Sequence, residues 1–441
     1  MGEAASVLES PVLGDAYVLD PYPIIARLRS EDPVHFVPGI GFWLVTRYDD
    51  VRRLFTDENV TNDPRAYEYY VPPPEGSFMR WASDHGLFSL PPDEHARVRR
   101  LVSAAFTPRA IARMTAQVLE VVRQYAAPLH GRRGIVDLMA EFTDPIPNAV
   151  ISRVTGVAAP GGEEVRFREL AQATIRGFFT FGDPAARERG GEAFAELAEW
   201  VRQVANDRRR APREDMITDL VRARDRGDAM SDDEIVILVA GLLGAGSETT
   251  AVGGLISMLA LLEMPDVLAR LRRERALVPN AVTEILRYFF GAGFGLPRYA
   301  VRDFELHGKQ IRKGQLLLLS FTGAHRDPSV FPDPDRFDLE RDASELVVFG
   351  HGPHYCLGVH LAQAELRGMV EAALDFLPPG ARHRADLVEW QRVMFFRRPQ
   401  NFPVEFENYA QAARMASAST GARSSATTRW PSGVQCAPCP V

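Results

Sequence analysis

The sequence predicts a mainly helical fold with small β-sheets, an α+β architecture with helix in excess. Three observations carry this. Between residues 92 and 287, apolar residues recur every three and four positions, with Pro and Gly clusters between the runs. Strand-like runs are confined to the two ends of the chain. The composition, 46% hydrophobic and 25% charged over 441 residues, is that of a globular chain able to bury a large core and still enclose a ligand.

The elements follow in order. Residues 1–16 read as an N-terminal extension. "MGEAASVLESPVLGDAY" has acidic residues and no long apolar core, so no signal peptide is expected. "DPYPIIARLRSED" reads as a short capped helix, and "PVHFVPGIGFWLVTRYDDV" as two strands around a turn at residues 38–41. Residues 61–90 are loop-like, with Tyr67, Tyr69, Tyr70, Phe78, Trp81 and Phe88 around "VPPPEG". Such aromatics are either packing anchors or the wall of a pocket. "TPRAIARMTAQVLEVVRQYAAPL" and "GGEAFAELAEWVRQVANDRRRAPRED" are clear helices.

The most apolar long run covers residues 235–264, and Glu248 stands near its centre beside Ser247, Thr249 and Thr250. A membrane helix seldom carries such a charge at mid-depth. The run therefore reads as a buried helix of a soluble protein, with a polar cluster that needs a reason. Strand-like runs return in "RDFELHGKQIRKGQLLLLSF" and "EWQRVMFFRRPQNFPVEF". A single catalytic domain is expected over residues 17–408, followed by a disordered Ala/Ser/Thr-rich tail over 409–441.

The net charge of −7 argues against nucleic acid as a partner. Three cysteines exclude a disulfide scaffold and suit a reducing cytoplasm. Cys436 and Cys439 in the tail have redox-motif spacing but no strand–helix context.

The remaining cysteine, Cys356, stands in "FGHGPHYCLGVHLA" with His351, His354 and His360. By residue type a zinc site, a thiol nucleophile, a redox sensor, a haem ligand and a plain buried cysteine are all open. "EILR" puts Glu284 and Arg287 at i, i+3 on one helix face, where they can pair. "AGSETT", residues 245–250, sets an acid and hydroxyls in the apolar helix: side chains bonded back to the i−4 carbonyl, or a notch that binds a small ligand and relays protons. "PDEHARVRRLV" puts His95 and Arg99 at i, i+4, an anion clamp or a solvated basic face.

Together and in this order, these motifs resemble the cytochrome P-450 family of haem-thiolate monooxygenases, over about residues 20–406. The haem-loop pattern F-x-x-G-x-x-x-C-x-G is met by Phe349, Gly352, Cys356 and Gly358. The oxygen-binding helix motif is met by Ala245, Gly246, Ser247, Glu248, Thr249 and Thr250. The resemblance implies the P-450 fold, with haem b between the central helix and the cysteine loop. It implies Cys356 as the axial ligand of iron, and Phe349, Gly350 and Gly358 as the shapers of its loop. It makes His95, Arg99, Arg298 and His354 partners of the haem propionates, and His351 and His360 bystanders. Ala245 and Gly246 become the haem-facing residues of a locally bulged helix, with Gly246 permitting close approach. Glu248 and Thr249 become the proton-delivering pair. Glu284, Arg287 and Arg336, the last in "PDRF", become a structural triad.

The resemblance further places Phe78, Phe88, Phe178, Phe179, Leu242, Phe294 and Phe395 around the substrate. Their apolar character suits a hydrophobic small molecule. A polyketide or macrolide is the leading reading; a terpenoid, steroid or fatty acid is the alternative. No flavin, dinucleotide or iron–sulfur pattern occurs, so electrons from NAD(P)H must arrive through a separate ferredoxin or flavodoxin with its reductase. The expected protein is a cytoplasmic monomer that needs no membrane. A peroxide-driven enzyme and a non-catalytic haem sensor are the rivals, and the Glu248–Thr249 pair argues against both.

Overall fold

Helices dominate the middle of the chain, as the periodicity predicts, and the strands lie toward its ends except for one at Gly134–Asp137. The structure, a computed structural model, describes residues 10–14, 16–17, 20–103, 108–158, 162–179, 184–225, 230–290, 295–391 and 398–406. The expected tail, with Cys436 and Cys439, lies outside them.

Asp20 caps helix α1 (Pro21–Glu31) by accepting from the Tyr22 N–H at 3.3 Å. Strands β1 (Val34–Val37) and β2 (Phe42–Val45) form the predicted hairpin. There follow α2 (Tyr48–Leu54), β3 (Val60–Thr61), α3 (Phe78–His85), α4 (Pro92–Ser103) and α5 (Pro108–Ala126). Next come β4 (Gly134–Asp137), α6 (Pro145–Thr155), α7 (Glu164–Phe179), α8 (Pro184–Arg210) and α9 (Met216–Asp225). The long α10 (Asp232–Glu263) leads to α11 (Pro265–Arg273) and α12 (Val278–Phe289). Strands β5 (Leu296–Ala300), β6 (Phe304–Leu306), β7 (Lys309–Ile311) and β8 (Leu316–Leu319) precede α13 (Phe321–His325) and α14 (Val359–Phe376). Four short strands end the described chain: β9 (Arg382–His383), β10 (Trp390–Gln391), β11 (Arg398–Pro399) and β12 (Pro403–Phe406).

One sheet has the order β1-β2-β8-β5-β3 and joins both ends of the chain. Its strand β8 is four leucines, all buried, because it runs between β2 and β5 with both faces covered. A second sheet, β4-β12-β9, pairs Asp137 with Pro403.

Helix α10 starts at a capping box: Ser231 Oγ accepts from the Glu234 N–H at 3.1 Å, and Glu234 Oε2 accepts from the Ser231 N–H at 2.7 Å. It packs against α6, α7, α8, α12 and α14, which explains why it is apolar all round. By length and composition alone it could cross a bilayer, yet most of it is buried within the protein.

Three apolar clusters form the core, the largest around α10 and two against the five-stranded sheet. Val12 and Tyr17 are buried in one of the latter, so the described part of the N-terminal segment packs onto the domain. Ser10 Oγ also hydrogen-bonds His35 Nε2 at 3.0 Å.

Candidate active site

The cysteine loop is built by backbone geometry. Gly350 and Gly352 hold φ of 77° and 74°, a region that side chains with a Cβ enter only with strain. The turn brings the Cys356 N–H back to the Phe349 carbonyl at 2.8 Å. Gly358 is the N-cap of α14, so the thiol stands at a helix N-terminus. Burial pushes the Cys356 thiol up in pKa, while the Gly358 N–H and the nearby Arg99 guanidinium favour the thiolate. Among the described residues Cys356 is the one free cysteine, and no group of three His, Cys, Asp or Glu is placed to hold a metal ion. The zinc reading therefore falls, and His360 is simply exposed.

Four cationic or potentially cationic side chains converge beside this loop. They come from α4 (His95, Arg99), β5 (Arg298) and the loop itself (His354). The rings of His95 and His354 lie 4.0 Å apart between centroids. Arg99 donates to the Tyr355 carbonyl. Arg298 is buried, with its guanidinium 4.8 Å from the Phe55 ring centre. Asn62 Nδ2 stands 3.4 Å from His354 Nδ1. Among the described residues no carboxylate pairs with any of the four, and the buried Nε2 of His95 has no hydrogen-bond partner.

Crowding without a counter-ion has electrostatic consequences. Burial, then His95, Arg298 and Arg99, push His354 down to about 4. Burial and Arg99 lower His95, and burial lowers Arg298 to about 10. A partly buried set of two arginines and two histidines with an orphaned ring nitrogen is costly unless an anion completes it. Two carboxylates of a bound group would do so, with arginine supplying its two-pronged fork.

Helix α10 supplies the polar notch. In the middle of this mostly buried helix Gly241, Leu242, Ala245, Gly246 and Thr249 stay accessible, and their spacing puts them on one face. Glu248 is buried, with Oε1 3.7 Å from Arg176 Nε on α7. Thr249 Oγ1 donates to the Ala245 carbonyl at 2.8 Å, and Ser247 Oγ to the Leu243 carbonyl at 2.6 Å.

One expectation for α10 is corrected: the helix is α-helical throughout, without the bulge. Gly246 borders the accessible face, and a Cβ there would lie 3.3 Å from Ile151 Cδ1 of α6. Ala245 is the most accessible residue on that face.

The Glu284–Arg287 pair is fully buried and bidentate, with distances of 2.7 and 2.8 Å. Arg287 also donates to the carbonyls of His325 and Pro334 at 2.9 and 2.8 Å. The third side chain is a correction. Arg336 contributes only its carbonyl; its guanidinium is 52% exposed and turns to Asp338. Arg341, 8% exposed, fills the place, 3.3 Å from Glu284 Oε1 and bonded to the carbonyls of Pro332, Asp333 and Arg336.

Residues 39–376 match the family model described as "Cytochrome P450". The chain belongs to the cytochrome P450 family. The epothilone C/D epoxidase of Sorangium cellulosum is 36% identical over 357 residues, 79% of this chain and 84% of that protein. The cytochrome P450 monooxygenase PikC of Streptomyces venezuelae is 35% identical over 377 residues, 84% of this chain and 87% of that one. The solved structure of epothilone D-bound cytochrome P450epoK superposes with a TM-score of 0.80 at 31% identity, covering 89% of this chain and 97% of the other. This P450 is thus a monooxygenase that works with haem b and electrons from redox partners. The cysteine loop, the uncompensated cation cluster and the accessible face of α10 fit that cofactor.

The residues expected around the P450 substrate are less uniform. Leu242 lies on the accessible face of α10. Phe88, 60% exposed, stacks on His354 with ring centres 6.4 Å apart, which sets it at the cation cluster and not in a pocket wall. Tyr67 meets Tyr69 and Tyr299 at 5.5 and 5.7 Å, as packing anchors do. Phe78 begins α3, and Phe178 and Phe179 end α7, but their side chains lie outside the described residues, as do Phe294 and Phe395 altogether.

Proposed function

We propose that this P450 inserts one oxygen atom of O2 into a large hydrophobic natural product of the polyketide or macrolide type, by hydroxylation or epoxidation. Cys356 would supply the thiolate that holds the haem iron. The observation that carries this is the cluster of His95, Arg99, Arg298 and His354, with no carboxylate paired to it among the described residues, beside a cysteine at a helix N-terminus. The substrate class follows the relatives named for epothilone and mycinamicin chemistry.

Haem held by a thiolate supplies the oxidising chemistry, with O2 as oxidant and electrons from a ferredoxin or flavodoxin. The rest belongs to the chain. His95, Arg99, Arg298 and His354 would bind the two propionates. Arg99 and the Gly358 N–H hold the thiolate charge. Glu248 is the buried acid, and the Thr249 hydroxyl on the accessible face can accept and pass a proton, being donor and acceptor at once. Leu242 and Ala245 keep that face apolar and limit water there.

Reduced holoprotein with carbon monoxide is expected to show the Soret band of a thiolate-ligated haem, and Cys356→His to lose it. A histidine-type band in the wild type would sink the assignment. A ligand panel read by the iron spin-state shift is expected to favour macrolactones, and a response to fatty acids or steroids alone would overturn the substrate class.

A further inference from the structure

Helix α10 holds five glycines, and four of them have a packing reason. A Cβ on Gly244 would lie 3.3 Å from Thr174 of α7, and one on Gly246 3.3 Å from Ile151 of α6. A Cβ on Gly253 would lie 2.9 Å from Leu366 of α14, and one on Gly254 2.7 Å from Met369 Sδ of the same helix. At each of these positions a neighbouring helix comes so near that it would have to shift to admit a side chain. Gly241 is different. A Cβ there would meet nothing within 4 Å among the described residues. Gly241 lies inside an unbroken α-helix and has no positive φ, so its backbone does not call for glycine either. Glycine in a helix interior is less favourable than alanine or leucine. Neither packing nor backbone accounts for that loss at Gly241; what the missing side chain leaves is open space.

The open space adjoins the site. With 3.6 residues per turn, Gly241 stands about 40° around the helix from Ala245 and about 60° from Gly244. It therefore lies between the accessible face and the side that packs on α7. At 1.5 Å per residue it is about 6 Å along the axis from Ala245 and about 12 Å from Thr249. Val239, Ala240 and Leu243 around it are buried, whereas Gly241 itself is partly accessible. The recess thus opens on the face that Ala245 and Thr249 share.

We propose that Gly241 is a specificity-determining residue that sets the size of substrate this P450 accepts. The side chain missing there leaves a recess about two turns of helix from Thr249, which takes apolar bulk remote from the oxidised carbon. The inference rests on the reading above and deepens it. A small substrate held beside Thr249 does not reach the recess, while a macrolactone spans the distance. Gly241 moves no proton or electron, so it governs binding and not the oxidation step.

Gly241→Leu fills the recess and tests this in the holoenzyme. The variant is expected to fold with an unchanged or higher denaturation midpoint, since leucine favours helix and meets open space. A lowered midpoint would show that the space is not open, and the idea falls. Imidazole, phenylimidazole and triphenylmethylimidazole then serve as probes of graded bulk, because an azole nitrogen on ferric haem is read by its Soret shift whatever the natural substrate. The variant is expected to keep the Kd of imidazole within about twofold and to raise that of triphenylmethylimidazole about tenfold or more, as overfilling a pocket does. Equal losses for all three, no loss at all, or a wild type already closed to the largest probe overturns the proposal. A macrolactone followed by the spin-state shift is expected to lose affinity in parallel, with KM raised more than kcat is lowered. Should no macrolactone bind the wild type while the azoles still separate the two proteins, the substrate class falls and Gly241 keeps its role. A macrolactone bound equally by both overturns Gly241 alone.

Discussion

Arg336 and Arg341 show how a motif can name the wrong side chain. Both lie far beyond Glu284 in the sequence and close to each other, and Arg336 satisfies the P-x-R-F pattern. In the folded loop Arg336 points to solvent while Arg341 reaches the buried carboxylate and three carbonyls. Arg341→Ala leaves Glu284 short of a charged partner, so it is expected to destabilise the protein by about 3–5 kcal/mol. Arg336→Ala removes only a solvent-screened exposed pair and is expected to leave stability nearly unchanged. Denaturant titration of the two variants checks the order, and equal losses would return Arg336 to the network. Thr249 is the other residue whose role is testable alone. Its hydroxyl is bonded to Ala245 O yet sits on the accessible face. Thr249→Ala is expected to raise peroxide release per electron consumed; unchanged coupling would remove it from the relay.

At the scale of elements, α7 and α8 form a hairpin whose backbones touch. A Cβ on Gly190 would lie 2.6 Å from Gly177 Cα, against backbone that cannot swing aside. Alanine is the better helix former by about 1 kcal/mol, but the clash outweighs that gain. Gly190→Ala is expected to cost about 1–3 kcal/mol net of repacking. An unchanged denaturation midpoint would show that the two helices part there freely. Arg176, which meets Glu248, is the residue before Gly177, so the same crossing helps to set the acid of the relay. The helical period of α8 was legible in the sequence, and α10 stood out as a long apolar run. The crossing was not, because two glycines thirteen residues apart carry no period of their own.

For the whole molecule, acid stability is expected to depend on His325. Burial, with Arg287 and Arg326 close by, lowers it from 6.5 to about 3, while its Nε2 accepts the Val347 N–H at 3.2 Å. The unfolded chain takes up a proton near pH 6.5 that the folded protein refuses. Stability from this group is therefore intact above about pH 6.5 and falls as pH drops toward 3. His325→Gln is expected to flatten that part of the stability profile, and a slope unchanged by the substitution would assign the acid sensitivity elsewhere.

The sequence by itself determined the chemistry that is local along the chain. The Phe349–Gly358 spacing builds a loop for a thiolate, and Glu284 with Arg287 must share a helix face because i, i+3 positions do. Tertiary structure decided which arginine closes the Glu284 network. It also gathered His95, Arg99, Arg298 and His354 from three separate elements and set Arg176 of α7 beside the buried Glu248. These depend on which surfaces of distant segments pack together. That choice is made by through-space contact and exclusion of water, and no spacing within one segment encodes it.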